Sequence, residues 1–282
     1  MNIQWYPGHM TKAKRNMQED IKLVDLVIEL LDARVPFSSR NPDIDKLAAG
    51  KARLVLLNKS DLADPQRSEK WKIWFEEKNC RTVLLDSRVS GAMKEVRRVI
   101  EEACQQKRER DRRRGILNRP VRAMVVGIPN VGKSTFINTF AGRAAARTGD
   151  KPGVTRGNQW IRLGKGVELL DTPGILWPKF EDQQVGCRLA AAGAISDTIV
   201  DPAELSLWLI SFLQQEYPQV LCERYGLEET AGEAAAVLNS IAGVRGCIGK
   251  GGELDYERAA RLILEDFRSG RLGRITLEEP EG

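Results

Sequence analysis

Two short strings concentrate the residue types able to do chemistry. Gly127-Ile128-Pro129-Asn130-Val131-Gly132-Lys133-Ser134 has the form G-x-x-x-x-G-K-[ST]. Its glycines let the backbone turn tightly, so that N–H groups along Asn130, Val131, Gly132, Lys133, Ser134 and Thr135 can converge on phosphate oxygens at a helix N-terminus. Lys133 would neutralise the β- and γ-phosphates and Ser134 would ligate Mg²⁺. The second string, Asn58-Lys59-Ser60-Asp61, reads as a base-selecting loop. The Asp61 carboxylate can accept hydrogen bonds from N1 and N2 of guanine, which adenine lacks. A buried acceptor left unpaired costs about 1–3 kcal/mol, so this one group disfavours adenine nucleotides. Asn58 would brace the loop, and the Lys59 stem would lie along the base. Asp86-Ser87, after the next apolar run, can turn backbone N–H groups toward the guanine O6.

Asp171-Thr172-Pro173-Gly174 supplies two further parts. Asp171 can hold Mg²⁺ directly or through water, and the Gly174 N–H can sense the γ-phosphate. Thr155, in Lys151-Pro152-Gly153-Val154-Thr155-Arg156-Gly157, is the choice for the residue that completes the Mg²⁺ shell, with Thr148 as its competitor. Many nucleotide hydrolases place Gln just after the D-x-x-G glycine to orient the attacking water. Here that position is Ile175, which can orient nothing, and the chain holds a single histidine, His9. His9 lies in a Pro-Gly-His-Met turn. It reads either as the group that positions water or as a structural residue that caps the turn or touches RNA. Asn130 reads as a side chain that shapes the phosphate loop.

These groups need elements to hold them. Val24–Leu31, Arg53–Leu57, Thr82–Leu85 and Val121–Val126 are short apolar runs and predict buried strands; Gln159–Leu163 and Val167–Leu170 predict a hairpin. Pro65–Lys78 and Met93–Gln106 have helical spacing, and a further helix starts near Lys133. Strands alternating with helices predict an α/β, doubly wound, mainly parallel sheet. Ala144–Gln159 reads as a mobile loop and Arg108–Pro120 as a linker. In ordinary GTP-binding domains the phosphate loop precedes the guanine loop. Here the order is reversed, so a circularly permuted P-loop GTPase domain is expected over residues 1–178. Beyond it the alternation stops. Val185–Ala194, Pro202–Gln215, Glu233–Ala242 and Asp255–Ser269 are helical segments, the last two parted by Gly249-Lys250-Gly251-Gly252. A small all-helical domain is expected over 179–282, with RNA or ribosome binding as its role.

Composition narrows the class. The 282 residues carry 42% hydrophobic and 29% charged side chains, as water-soluble globular chains do. The five cysteines are widely spaced without a C-x-x-C pair, which argues against a zinc site or a disulfide framework. No apolar run reaches membrane-spanning length and no signal-peptide core is evident near Met1, so a cytoplasmic location without membrane attachment is expected. The net charge of +5 is unevenly spread. Between Gln105 and Arg122 eight Lys and Arg residues face only Glu109 and Asp111. That segment carries +6 and the rest of the chain about −1. Clustered Arg suits a polyanion, whose phosphates it neutralises with release of counterions; a solvated helix end is the other reading.

Taken together, the sequence resembles the circularly permuted GTPases of ribosome assembly. The likeness runs through Trp5-Tyr6-Pro7-Gly8-His9-Met10, Asp32-Ala33-Arg34-Val35-Pro36 and Ser39-Arg40-Asn41-Pro42, then the order of the guanine, phosphate and D-x-x-G motifs. The C-terminal part matches only loosely. The resemblance implies a monomeric cytoplasmic GTPase that binds GTP and GDP, docks on a late precursor of the large ribosomal subunit (rRNA and ribosomal proteins), is stimulated by ribosomal particles and leaves after hydrolysis. It also implies that His9 is catalytic and that Asn130 helps hold a K⁺ ion beside the phosphates. Two other readings stay open: a signalling GTPase acting on a protein partner, and an RNA-binding protein in which GTP is only structural.

Overall fold

The central strand β1 (Leu26–Asp32) is buried along its whole length, which a parallel strand covered on both faces must be. In the computed structural model it pairs in parallel with β2 (Ala52–Asn58) on one side and β4 (Val121–Gly127) on the other. β3 (Arg81–Leu85) extends the sheet beyond β2, β6 (Val167–Asp171) lies beside β4, and β5 (Gln159–Leu163) closes the edge antiparallel to β6. The order is β3-β2-β1-β4-β6-β5. The structure describes residues 9–116, 119–142, 159–163, 166–172, 174, 176 and 182–280, and of 9–14, 159 and 250 the backbone alone. The loop expected over Ala144–Gln159, with Thr148 and Thr155, falls almost wholly outside these residues, as do Ile175 and the stretch Trp5–Gly8.

Right-handed crossovers assign the helices to faces. α1 (His9–Asp20), α2 (Ile44–Leu47) and α3 (Pro65–Glu77) cover one face. Met17 and Ile44 pack there with Val27, Met124 and Leu170, and Trp71 and Phe75, one helical turn apart on α3, pack with Leu31, Val55 and Leu57. α4 (Met93–Ala103) packs on β2 and β3, and α6 (Lys133–Ala141) on β4 and β6. The start of α3 is set locally: Asp64 accepts from the N–H groups of Gln66 and Arg67, and Pro65 occupies the first helical position.

The first part of the stretch expected to be a linker after α4 is instead helical. α5 (Gln105–Arg113) buries no residue. Its Gln, Arg, Lys and Glu residues are good helix formers, and the Lys107 ammonium pairs with Asp111 one turn on, at 2.6 Å, and with Asp25 at 3.3 Å. Sequence periodicity misses it because there is no apolar face to register.

The described residues divide into two compact units, 9–176 with 278–280, and 182–277. The second unit is helical: α7 (Gln183–Ala191), α8 (Pro202–Glu216), α9 (Val220–Tyr225), α10 (Ala234–Val244) and α11 (Tyr256–Arg268). α8, α10 and α11 pack mutually around Leu205, Leu209, Leu213, Leu238, Ile241, Ile263 and Phe267. Buried Asp266 accepts from Arg224 Nε at 2.8 Å, Tyr225 Oη at 3.1 Å and Arg271 Nη1 at 3.1 Å, so its charge is compensated on three sides.

The end of the chain departs from the expected domain boundary, since Glu278 and Glu279 belong to the sheet unit. The Glu278 carboxylate accepts from the Phe37 N–H at 2.7 Å, the Ser38 N–H at 3.1 Å and the Ser38 hydroxyl. Trp71 Nε1 donates to the Glu278 carbonyl at 3.2 Å, and Arg67 pairs with Glu279 at 3.0 Å. Replacing Glu278 with Ala leaves the buried Ser38 N–H and the part-buried Phe37 N–H without their acceptor. We expect a loss of about 1–3 kcal/mol in the urea-induced unfolding of the sheet unit, followed by tryptophan fluorescence.

Candidate functional site

Parallel pairing puts the carboxyl ends of β1, β2, β3, β4 and β6 along one edge of the sheet. The chain direction of growth reverses between β1 and β4, and in open α/β sheets ligands bind outside such a reversal. The phosphate loop leaves β4, the guanine loop leaves β2, Asp86-Ser87 follows β3, and Asp171 ends β6.

Asn58 joins three of these segments. Fully buried, it donates through Nδ2 to the Val131 carbonyl at 2.7 Å and accepts through Oδ1 from the Ser87 N–H at 2.9 Å. The guanine loop, the 86–87 turn and the phosphate loop therefore share one amide. Gly132 makes this approach feasible: its φ is +99°, and a Cβ there would lie 2.5 Å from Asn58 Nδ2. Ser60 adds a backbone bond to the Leu85 carbonyl at 3.1 Å.

Lys59 adopts a left-handed φ of +59°, and its ammonium lies 2.9 Å from Asp32 Oδ2. Asp32 is itself held by the buried Arg34 guanidinium at 2.9 and 2.7 Å. Burial opposes the charge on Asp32, but Arg34 and Lys59 together outweigh it and hold the carboxyl well below its ordinary range. The Asp32-Ala33-Arg34 string thus anchors the guanine loop, a role that sequence reading missed. Its signal was an acidic residue at the end of the strand next to β2, where Asp32 pairs with Asn58 in register.

The phosphate loop has its own constraints. Asn130 takes a left-handed φ of +58°, an uncommon conformation that Asn tolerates best after Gly. Lys133 is buried and donates to the carbonyls of Gly127 at 3.2 Å and Ile128 at 3.1 Å. Burial lowers it to about 8, against the pull of Asp171. Ser134 and Thr135 are half-buried in the first turn of α6. Gly174 lies against the loop: a Cβ on it would come within 2.8 Å of Pro129 N, so only glycine fits.

Asp171 is the group best suited to a cation. Burial pushes its carboxyl up to about 6, against the pull of Lys133 and the Thr172 N–H. Its Oδ1 is buried without a hydrogen-bond partner. An unsatisfied carboxylate oxygen and a seryl hydroxyl are both the hard-oxygen donor type that Mg²⁺ takes, so the chemistry of Asp171 and Ser134 fits that ion. Thr172 is turned inward, donating to the Val125 carbonyl at 2.7 Å.

Asp61 and Asp86 are brought together through Arg88, which bonds to both carboxylates. His9 is the first residue of α1, and its side chain lies outside the described atoms, as does all of Thr155. Among the described residues no group of three or more His, Cys, Asp and Glu could hold a metal. No described helix is long and apolar enough to cross a membrane.

Comparisons with known proteins show what the chain is similar to. The family model for 50S ribosome-binding GTPases matches residues 122–237, from β4 onward. Ribosome biogenesis GTPase A of Bacillus cereus is 47% identical over 281 residues, covering 100% of this chain and 95% of that protein. Mitochondrial ribosome-associated GTPase 1 of Mus musculus is 35% identical, over 98% of this chain and 90% of its own length. Among solved structures, YlqF of Thermotoga maritima is similar in its GNP-bound form, with a TM-score of 0.68, 28% identity and coverage of 96% of this chain and 99% of that one.

The raised Asp171 carboxyl has a signed consequence. In the nucleotide-free protein its contribution to stability is full below the ordinary value of 3.8 and is lost as pH rises through about 6. Asp171→Asn should therefore gain on the wild type as pH goes from 4 to 7, by about 1 kcal/mol or more in urea unfolding. The same variant should lose the added thermal stability that Mg²⁺ brings to the GDP-bound wild type.

Proposed function

The chain belongs to the family of ribosome biogenesis GTPase A, and from that membership we propose that it acts late in maturation of the large ribosomal subunit. It is a GTPase, hydrolysing GTP to GDP and phosphate, and it associates with the ribosome. In this reading it binds the cytoplasmic precursor in the GTP state, is stimulated by it, and is released after hydrolysis. The observation that carries the reading is the Asn58 junction: one buried side chain ties the guanine loop to the phosphate loop, so base choice and phosphate contact form one site.

Each residue has a part. Asp61 reads guanine N1 and N2, Lys59 lies along the base, and Asn58, Ser60, Asp86 and Ser87 shape the base pocket. The backbone of 130–135 with Lys133 holds the phosphates. Ser134 and Asp171, with Thr155, would hold Mg²⁺, which supplies charge compensation at the β- and γ-phosphates. A K⁺ ion beside Asn130 belongs to the same reading, as does His9 orienting the attacking water in place of the usual Gln. Gly174 lies against Pro129 of the phosphate loop and, in sequence, comes a few residues before the helical unit. A shift of this segment on loss of the γ-phosphate would pass straight into the following unit.

The deciding experiment is sedimentation with ribosomal particles in GDP or a non-hydrolysable GTP analogue. Co-sedimentation with large-subunit precursors that is stronger with the analogue is expected. Equal binding in both states points to a structural role for GTP, and no binding points to a signalling GTPase.

Two variants test the parts. His9→Ala should lower single-turnover hydrolysis on saturating particles by about 10²–10⁴-fold, with GTP affinity nearly unchanged. Replacing Arg112, Arg113 and Arg114 with Gln should weaken particle binding and flatten its salt dependence, again without changing GTP affinity. These three side chains are exposed at the end of α5, which has no core to lose.

A further inference from the structure

Arg88 occupies a position that no guanine-binding motif assigns. It follows the Asp86-Ser87 turn, and that turn holds it firmly. Its N–H and its Nε both donate to Asp86 Oδ1, at 3.0 and 2.9 Å, and its Nη2 donates to Asp86 Oδ2 at 2.9 Å. The fork is bidentate, the geometry that fixes a guanidinium plane most firmly. From that fixed plane, Nη2 also reaches Asp61 Oδ2 at 2.6 Å, across from the guanine loop. Asp61 and Asp86 lie on loops after different strands, β2 and β3, and Arg88 is the covalent extension of one that grips the working carboxylate of the other.

We propose that Arg88 is a positioning residue for base recognition: it holds the Asp61 carboxylate in the orientation that accepts guanine N1–H and N2–H. The inference rests on the assignment of Asp61 as the base-reading group. A carboxylate oxygen has two acceptor positions, so Oδ2 can keep Arg88 and still receive one guanine donor. Because Asp86 restrains the guanidinium through both of its oxygens, Arg88 presents a fixed donor rather than a wandering competitor. Asp61 is then ordered before the nucleotide arrives, and binding need not supply that order. The Asp86 carboxyl is held below its ordinary value, chiefly by its hydrogen bond from Arg88.

Folding tolerates the test. Arg88 is 66% exposed in its side chain, and an exposed ion pair contributes little to stability. Arg88→Ala should lower affinity for GDP by about three- to tenfold. It should also narrow the preference for GDP over inosine diphosphate, which lacks the N2 amine, a ratio that a general loosening of the fold would not move. Arg88→Lys, with one point charge and no fork, should recover only part of this. In an Asp61→Asn background, Arg88→Ala should change nothing further. Titration of the full chain with both nucleotides reads the wild type and all four variants. If Asp61→Asn keeps the wild-type preference for guanine, the base-reading assignment fails. If Asp61→Asn relaxes it while Arg88→Ala leaves affinity and preference unchanged, or raises affinity, the positioning role of Arg88 is overturned.

Discussion

Everything at the nucleotide edge depends on one buried amide. Asn58 is the last residue of a central strand, and both ends of its side chain are committed, one to the phosphate loop and one to the turn after β3. Burial makes these bonds matter. A solvent-exposed amide could exchange either partner for water, but an interior one cannot, and losing a partner would leave a polar group stranded at a cost of about 1–3 kcal/mol. Gly132 is needed for the same reason, since a side chain at that position would occupy the space of the Asn58 amide. The guanine loop and the phosphate loop are thus two halves of a single constraint.

Permutation is neutral to this arrangement because the sheet, not the chain order, sets the positions. β1 and β2 come first in sequence and β4 and β6 later, yet parallel pairing brings their carboxyl ends to a common edge. What the permuted order does change is where the D-x-x-G segment leads. In this chain it runs on in sequence to the helical unit rather than to another strand of the sheet. The last few residues run the other way, with Glu278 hydrogen-bonded to the turn after β1. The chain therefore passes from the sheet unit into the helical unit and returns to the sheet unit at residue 278.

Charge is handled differently at the two ends of the site. Around the base, carboxylates and cations are closely matched: Asp32 with Arg34 and Lys59, and Asp61 and Asp86 with Arg88. Beside the phosphate loop, Asp171 keeps an oxygen without a hydrogen-bond partner among the described residues and Lys133 donates to backbone carbonyls. A site whose ligand brings both negative phosphates and a divalent cation needs such groups left available, at some cost to the empty fold. The shifts of Asp171 toward the neutral form and of Lys133 to about 8 express that cost.

The sequence by itself determined the chemistry and most of the elements. Its motifs are contiguous, so loop conformation, helix starts and apolar runs are written in neighbouring residues; Pro65 after Asp64 and Gly132 before Lys133 are examples. It also gave the succession of strands along the chain, because short apolar runs between turn signals can be counted. Three features stayed invisible for want of such a local signal. Helix α5 has no apolar face, Glu278 meets residues about 240 positions away, and Arg88 reads as one more surface cation until its turn is placed beside the guanine loop. The last two depend on contacts between segments distant in sequence. Only the packed sheet, by fixing which loops emerge side by side, decides which side chains can share a hydrogen bond.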